Sequence, residues 1–94
     1  MDHLEHIMGL YDEGLEELMG AQNYVKKMYQ AISDDEKNMY RVLARQELDH
    51  AQMLVKDGDK LTEKDDAQDM VKRVWHYLRS HLLDWHSDLH SKVS

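Results

Sequence analysis

Residues 15–54 read LEELMGAQNYVKKMYQAISDDEKNMYRVLARQELDHAQML. Apolar side chains recur here every three or four residues, which is the spacing of an amphipathic α-helix, and the pattern breaks once, around residues 31–35. Ser33 followed by Glu36 has the spacing of a helix N-cap with a capping-box partner. Because a short turn between two long helices makes them run antiparallel, this stretch predicts a helical hairpin.

The pattern continues outward from the hairpin in both directions. It predicts helices over about residues 3–31, 34–57 and 63–89, with Gly58 ending the second helix and Thr62 capping the third. The sequence contains no proline, which favours long uninterrupted helices. Since 94 residues suffice for only one core, we expect a single helical domain over residues 1–94 and an all-α fold.

Composition narrows the classes of partner. The formal net charge of −7 argues against nucleic acid, whose binding depends on clustered lysine and arginine. No stretch approaches the roughly 20 apolar residues of a membrane span, so no membrane partner is expected. The absence of cysteine excludes a disulfide or a thiolate metal site and fits a reducing compartment. We therefore expect a cytoplasmic protein, or one enclosed in a cytoplasmic compartment.

One segment of the second helix carries chemistry. A helical wheel places Glu47 at the centre of that helix's apolar face, with His50 one turn further on, among Tyr40, Leu43, Ala51 and Leu54. An ionised acid buried without a partner costs several kcal/mol, so Glu47 needs a cation, a hydrogen-bonding network or a proton. Carboxylate and imidazole together suit iron, manganese or zinc. A structural ion pair between Glu47 and His50 is the alternative, and both stay open at this point.

Residues 15–54 resemble the helical hairpin of the ferritin-like superfamily, and most closely the encapsulated ferritins, which are half-ferritins of about this length. The resemblance is carried by Glu-Glu-Leu at residues 16–18, by Tyr24 about two turns later, and by Glu-x-x-His at residues 47–50. It implies that Glu17 joins Glu47 and His50 as a third metal ligand. Tyr24 and Tyr40 are expected around the metal, just outside its ligands. His81, which the helical period places on the apolar face of the third helix, is expected there too.

A complete di-iron carboxylate bundle needs twice this set of ligands. Two chains related by a two-fold axis would supply it. Two helices cannot surround a core, so the third helix must cover part of the hairpin or a hairpin from another chain must complete a four-helix bundle. We expect at least a homodimer whose hairpins complete a four-helix, ferritin-like bundle. The activity that the resemblance implies is ferroxidase, the oxidation of Fe²⁺ to Fe³⁺ by oxygen at a site shared between subunits. The alternative function is a non-catalytic helical oligomer or adaptor in which Glu47 and His50 form a buried pair.

The resemblance also raises the question of a protein shell, since encapsulated ferritins are the cargo of encapsulin shells. Residues 86–94, HSDLHSKVS, do not resemble the peptide by which such cargo docks. The family resemblance thus keeps an encapsulin shell among the expected partners, although this sequence has no recognisable cargo peptide.

Overall fold

The computed structural model of the chain describes residues 3–64 and 67–94. It contains three α-helices, α1 (His3–Gln30), α2 (Asp34–Thr62) and α3 (Asp69–Val93). No strand occurs in these two ranges, so the expected all-α class is confirmed. The three long helices lie side by side and give an elongated molecule of 52 × 20 × 15 Å.

The predicted hairpin is formed by α1 and α2. Ser33 stands at the start of α2 in an extended conformation, and its hydroxyl oxygen accepts a hydrogen bond from the backbone N–H of Glu36 at 3.2 Å. This bond satisfies one of the N–H groups that the first turn of a helix leaves without a partner. The predicted cap is confirmed.

The prediction that Gly58 ends the second helix is wrong. Gly58 does not have a positive φ angle, and α2 continues through it to Thr62. The next turn is held by tertiary contacts, because Leu61 is buried and the side chain of Asp59 binds α3. Packing of this kind overrides the local tendency of glycine to end a helix.

The third helix begins later than predicted, because the residues expected at its start belong to the longer α2. Thr62 does not cap α3, because its hydroxyl donates to the carbonyl oxygen of Gly58 at 3.0 Å and so belongs to the end of α2. The N-cap position of α3 is held by Gln68, whose side chain makes no capping bond. The helix expected over residues 63–89 thus begins at Asp69 and continues to Val93.

The core lies between the three helices, and α3 packs against both arms of the hairpin. Two glycines let side chains of α3 come close to the backbone of the hairpin. Leu82 lies against Gly14 of α1, and the indole of Trp75 lies against Gly58 of α2. The largest fully buried side chains are Trp75, Ile7, Leu18, Leu48, Leu82, Leu89, Val71 and Val93.

Polar contacts fasten α3 to α2 within the first half of α3 and at its C-terminal end. Asp59 accepts hydrogen bonds from the indole N–H of Trp75 and the Nε of Arg79, both at 2.8 Å. At the C-terminal end, the Nε of Arg45 donates to the backbone oxygen of Val93 at 2.9 Å. Within the described residues, none of the helices combines the length and the apolar character needed to cross a bilayer.

Candidate metal centre

Glu17, Glu47 and His50 meet across the hairpin. Each offers a ligand atom, and the three atoms lie within 4.8 Å of one another. Across the two helices, Nδ1 of His50 lies 3.5 Å from Oε2 of Glu17. The structure therefore brings together the three residues predicted as metal ligands.

The local sequence explains half of this arrangement. Glu47 and His50 are three residues apart on α2, so their side chains lie on one side of that helix. Glu17 comes from α1, and the packing of that helix against α2 brings it opposite Glu47 and His50. The helical period alone could not have supplied this third residue, which the family resemblance indicated.

The degree of burial differs from the prediction. The buried centre of the α2 face is Leu48, which is 1% exposed, and Glu47 lies beside it on a half-buried flank. The side chain of His50 is 57% exposed and that of Glu17 is 30% exposed. The expectation that Glu47 and His50 are buried at the centre of the face is wrong, because α3 and α1 together cover the neighbouring side of α2. The candidate site is consequently open to solvent.

The carboxyl group of Glu17 affects the ionisation of Glu47. A hydrogen bond with Glu17 raises the pKa of Glu47 from an ordinary 4.5 to about 7, and burial and the negative charge of Glu17 add to the rise, while His50 opposes it. A carboxyl group that hydrogen-bonds to a second carboxylate keeps its proton to a higher pH, because ionising it would place two negative charges side by side. A cation between them would relieve the same repulsion.

A cleft of about 210 Å³ opens beside the cluster. Its lining comes from α1 and α2, and α3 does not contribute to it; the lining residues are Glu13, Glu17, His50, Met53, Leu54 and Asp57. The cleft gives a cation an approach from solvent, and it leaves coordination positions open on the side away from the helices.

The residues expected around the metal behave differently from one another. Tyr24 and Tyr40 stack with ring centroids 6.3 Å apart on the two arms of the hairpin, and the Nζ of Lys27 lies 5.9 Å from each ring centre. His81 is exposed and contacts Tyr77 edge-on at 4.6 Å between ring centres. The placement of His81 on the apolar face of α3 is wrong, because the buried face passes through its neighbour Leu82.

Gly20 was not anticipated as part of this region. It lies one turn after Glu17 on α1, and a Cβ built there would stand 3.1 Å from Oε2 of Glu47. A glycine inside a helix lowers stability by about 1 kcal/mol relative to alanine. This cost is the only feature of the sequence that indicates a special role for Gly20.

The donor set fits a divalent metal ion. Carboxylate oxygens and imidazole nitrogen bind iron, manganese and zinc at about 2.0–2.2 Å, which places two ligand atoms of one ion roughly 3–4 Å apart. The 3.5 Å contact between His50 and Glu17 has this separation. Since all three ligand atoms lie within 4.8 Å of one another, the side chains need to move only slightly closer to bind one ion. Three such donors leave positions for water or substrate.

Comparison with known proteins does not assign the chain to a family: no family model, no curated protein and no solved structure matches it.

Proposed function

We propose that this chain binds a divalent metal ion through Glu17, Glu47 and His50, and that two copies share a ferritin-like di-iron site with ferroxidase activity. The observation that carries the proposal is the meeting of two carboxylates and an imidazole within 4.8 Å beside an open cleft. Like charges placed this close are costly unless a proton or a cation lies between them.

The second copy is proposed from the open side of the cluster. One chain supplies half the ligands of a di-iron carboxylate centre, and the exposed His50 leaves the cluster unenclosed. Apolar side chains flank the cleft, with Leu54 partly buried and Met53 62% exposed. A two-fold axis through this surface would bring a second set of ligands to the first and would complete a four-helix bundle from two hairpins.

In the proposed reaction Fe²⁺ is a substrate. Each of the two Fe²⁺ ions gives one electron to dioxygen, which takes up two protons and leaves as hydrogen peroxide. Glu17 and Glu47 bind the ion as hard anionic ligands, and they favour the ferric product because its higher charge interacts more strongly with carboxylate oxygen. His50 occupies one side of the ion, and the cleft keeps a path to solvent.

The test is iron content after anaerobic loading with Fe²⁺ of protein purified without an affinity tag. Wild-type protein should retain iron, Glu47→Ala should lose it, and Glu16→Ala should match wild type because Glu16 is an exposed neighbour outside the cluster. Equal, near-zero iron in all three proteins removes the proposal. Formation of Fe³⁺ on admission of air, slower in Glu47→Ala, tests the ferroxidase step separately.

Sedimentation with and without added metal tests the shared site. Since ions that bind between two chains favour the assembled state, the dimer fraction should rise with metal in wild type and not in Glu47→Ala. An unchanged monomer that nevertheless binds iron would leave metal binding in place and remove the shared site.

A second candidate function is a helical interaction protein in which this cluster is structural. One observation favours it: Glu17 already lies 3.5 Å from His50 and hydrogen-bonds to Glu47 without any metal. Here the Glu17–Glu47 hydrogen bond and the Glu17–His50 contact would set the pairing of the two helices. Absence of metal uptake together with destabilisation of Glu47→Ala would favour this candidate.

A further inference from the structure

Gly20 lies on α1 directly against the carboxylate of Glu47. A Cβ at this position would stand 3.1 Å from Oε2, 3.4 Å from Cδ and 3.7 Å from Cγ of Glu47. The backbone of Gly20 is helical with no positive φ, so any residue could adopt its conformation. The glycine is therefore explained by space beside Glu47 and not by backbone freedom.

The other glycines make this one distinctive. Gly14 and Gly58 face the apolar side chains of Leu82 and Trp75, whereas a Cβ added at Gly9 would have nothing within 4 Å. Of the four glycines, all of which are described, Gly20 is the one whose missing side chain makes room for a charged group.

We infer that Gly20 is a positioning residue of the candidate metal centre, seating the Glu47 carboxylate against α1 within reach of Glu17 and His50. This inference rests on the proposed function. A contact of 3.1 Å is tighter than ordinary van der Waals packing, so a methyl group at residue 20 would displace the carboxylate by a few tenths of an ångström. Ligand–metal distances lie within about 0.2 Å of their standard values, so a displaced carboxylate would have to move back against the methyl group when the ion binds.

The test compares Gly20→Ala with Gly9→Ala. Both changes occur in α1 and make the same gain in helix propensity, but only the first adds a methyl group next to Glu47. Titration calorimetry with Mn²⁺ gives the dissociation constant, and thermal unfolding without metal gives Tm. We expect both variants to keep or raise Tm, because the carboxylate end of Glu47 is flexible enough to yield.

The dissociation constant should separate the two variants. Gly20→Ala should bind Mn²⁺ about tenfold more weakly than wild type, which is the low end of the effect of residues that orient metal ligands, and Gly9→Ala should bind as wild type does. A weaker affinity accompanied by an equal or higher Tm is an outcome that a purely structural role of Gly20 does not produce. An unchanged or tighter dissociation constant in Gly20→Ala overturns the inference.

A conservative variant of the ligand supplies a second measurement. In Glu47→Asp the carboxylate is withdrawn by one methylene, so adding Gly20→Ala to it should cost less affinity than adding it to wild type. An equal cost in both backgrounds would show that the methyl group does not act through Glu47, and it would also overturn the inference. Failure of wild type to bind Mn²⁺ or Fe²⁺ removes the proposed function itself and is recognised before any variant is compared.

Discussion

The indole ring of Trp75 on α3 occupies the space that a side chain at Gly58 would take on α2. A Cβ built at Gly58 would overlap three carbon atoms of the ring. Trp75 is 2% exposed, and its indole N–H donates to Asp59, the residue after the glycine. One turn of α2 thus provides both the space at Gly58 and the hydrogen-bond acceptor at Asp59 for Trp75, the largest side chain of the core.

This contact predicts that Gly58→Ala destabilises the protein even though alanine is the better helix former. Overpacking a close contact costs about 1–3 kcal/mol, which outweighs the gain of up to about 1 kcal/mol in helix propensity. Urea denaturation gives the free energy of unfolding. Gly9→Ala is the control and should be stabilising, since its Cβ meets nothing. Stabilisation by both variants would contradict the close packing of Trp75 on Gly58.

Asp59 is predicted to hold α3 onto the hairpin. Asp59→Ala leaves the indole N–H of Trp75 and the guanidinium of Arg79 without their acceptor, and we expect a loss of about 1–3 kcal/mol. The matched control is Asp57→Ala, which removes the same charge from an exposed position two residues earlier. Urea denaturation, with the tryptophan emission as probe, measures both. Equal effects of the two variants would mean that only charge matters here.

The raised pKa of Glu47 predicts a pH dependence of stability in metal-free protein. In the unfolded chain Glu47 ionises near 4.5, whereas in the folded protein it keeps its proton until about pH 7. The folded state therefore holds more protons between these values, and stability decreases as the pH rises from about 4.5 through 7. Glu47→Gln keeps a neutral side chain that can still hydrogen-bond to Glu17, so it should lack this part of the decrease.

The measurement is the difference in unfolding free energy between wild type and Glu47→Gln across that pH range. As the pH rises from 4.5, the variant should become increasingly more stable than wild type, and this difference in unfolding free energy should level off above pH 7. Glu16→Gln removes one negative charge from a neighbouring exposed position and separates the effect of net charge from that of the Glu17–Glu47 contact. A difference that stays flat over the range would be at odds with a raised pKa of Glu47.

Burial predicts a contrast between two large apolar residues of α2. Leu48 is 1% exposed in the core, and Leu48→Ala should cost about 2–5 kcal/mol because it removes buried methyl groups and leaves a cavity. Met53 is 62% exposed beside the cleft, and Met53→Ala should change the stability of the monomer by less than about 0.5 kcal/mol. Thermal unfolding at low protein concentration checks both. A large loss in Met53→Ala that appears only at high concentration would instead indicate that this surface is covered by a second chain.

The sequence by itself determined the features that depend on neighbours within a turn or two. The all-α class follows from the spacing of apolar residues and the absence of proline, and the cap at Ser33 follows from its position before Glu36. The presence of Glu47 and His50 on one side of α2 follows from the helical period. Glu17 required the family resemblance, because nothing local to α1 says which of its acids faces α2.

Only the tertiary structure decided where α2 ends, which side of α2 is buried and what Gly20 faces. Each depends on residues distant in the sequence: Trp75 packs on Gly58, Leu48 lies under α3 with its backbone oxygen 3.1 Å from the ring of His86, and Glu47 fills the space at Gly20. The free energy of such contacts comes from the docking of whole helices, which local propensities do not contain. The same docking left Glu47 and His50 on an open flank, where the helical wheel had expected a closed core.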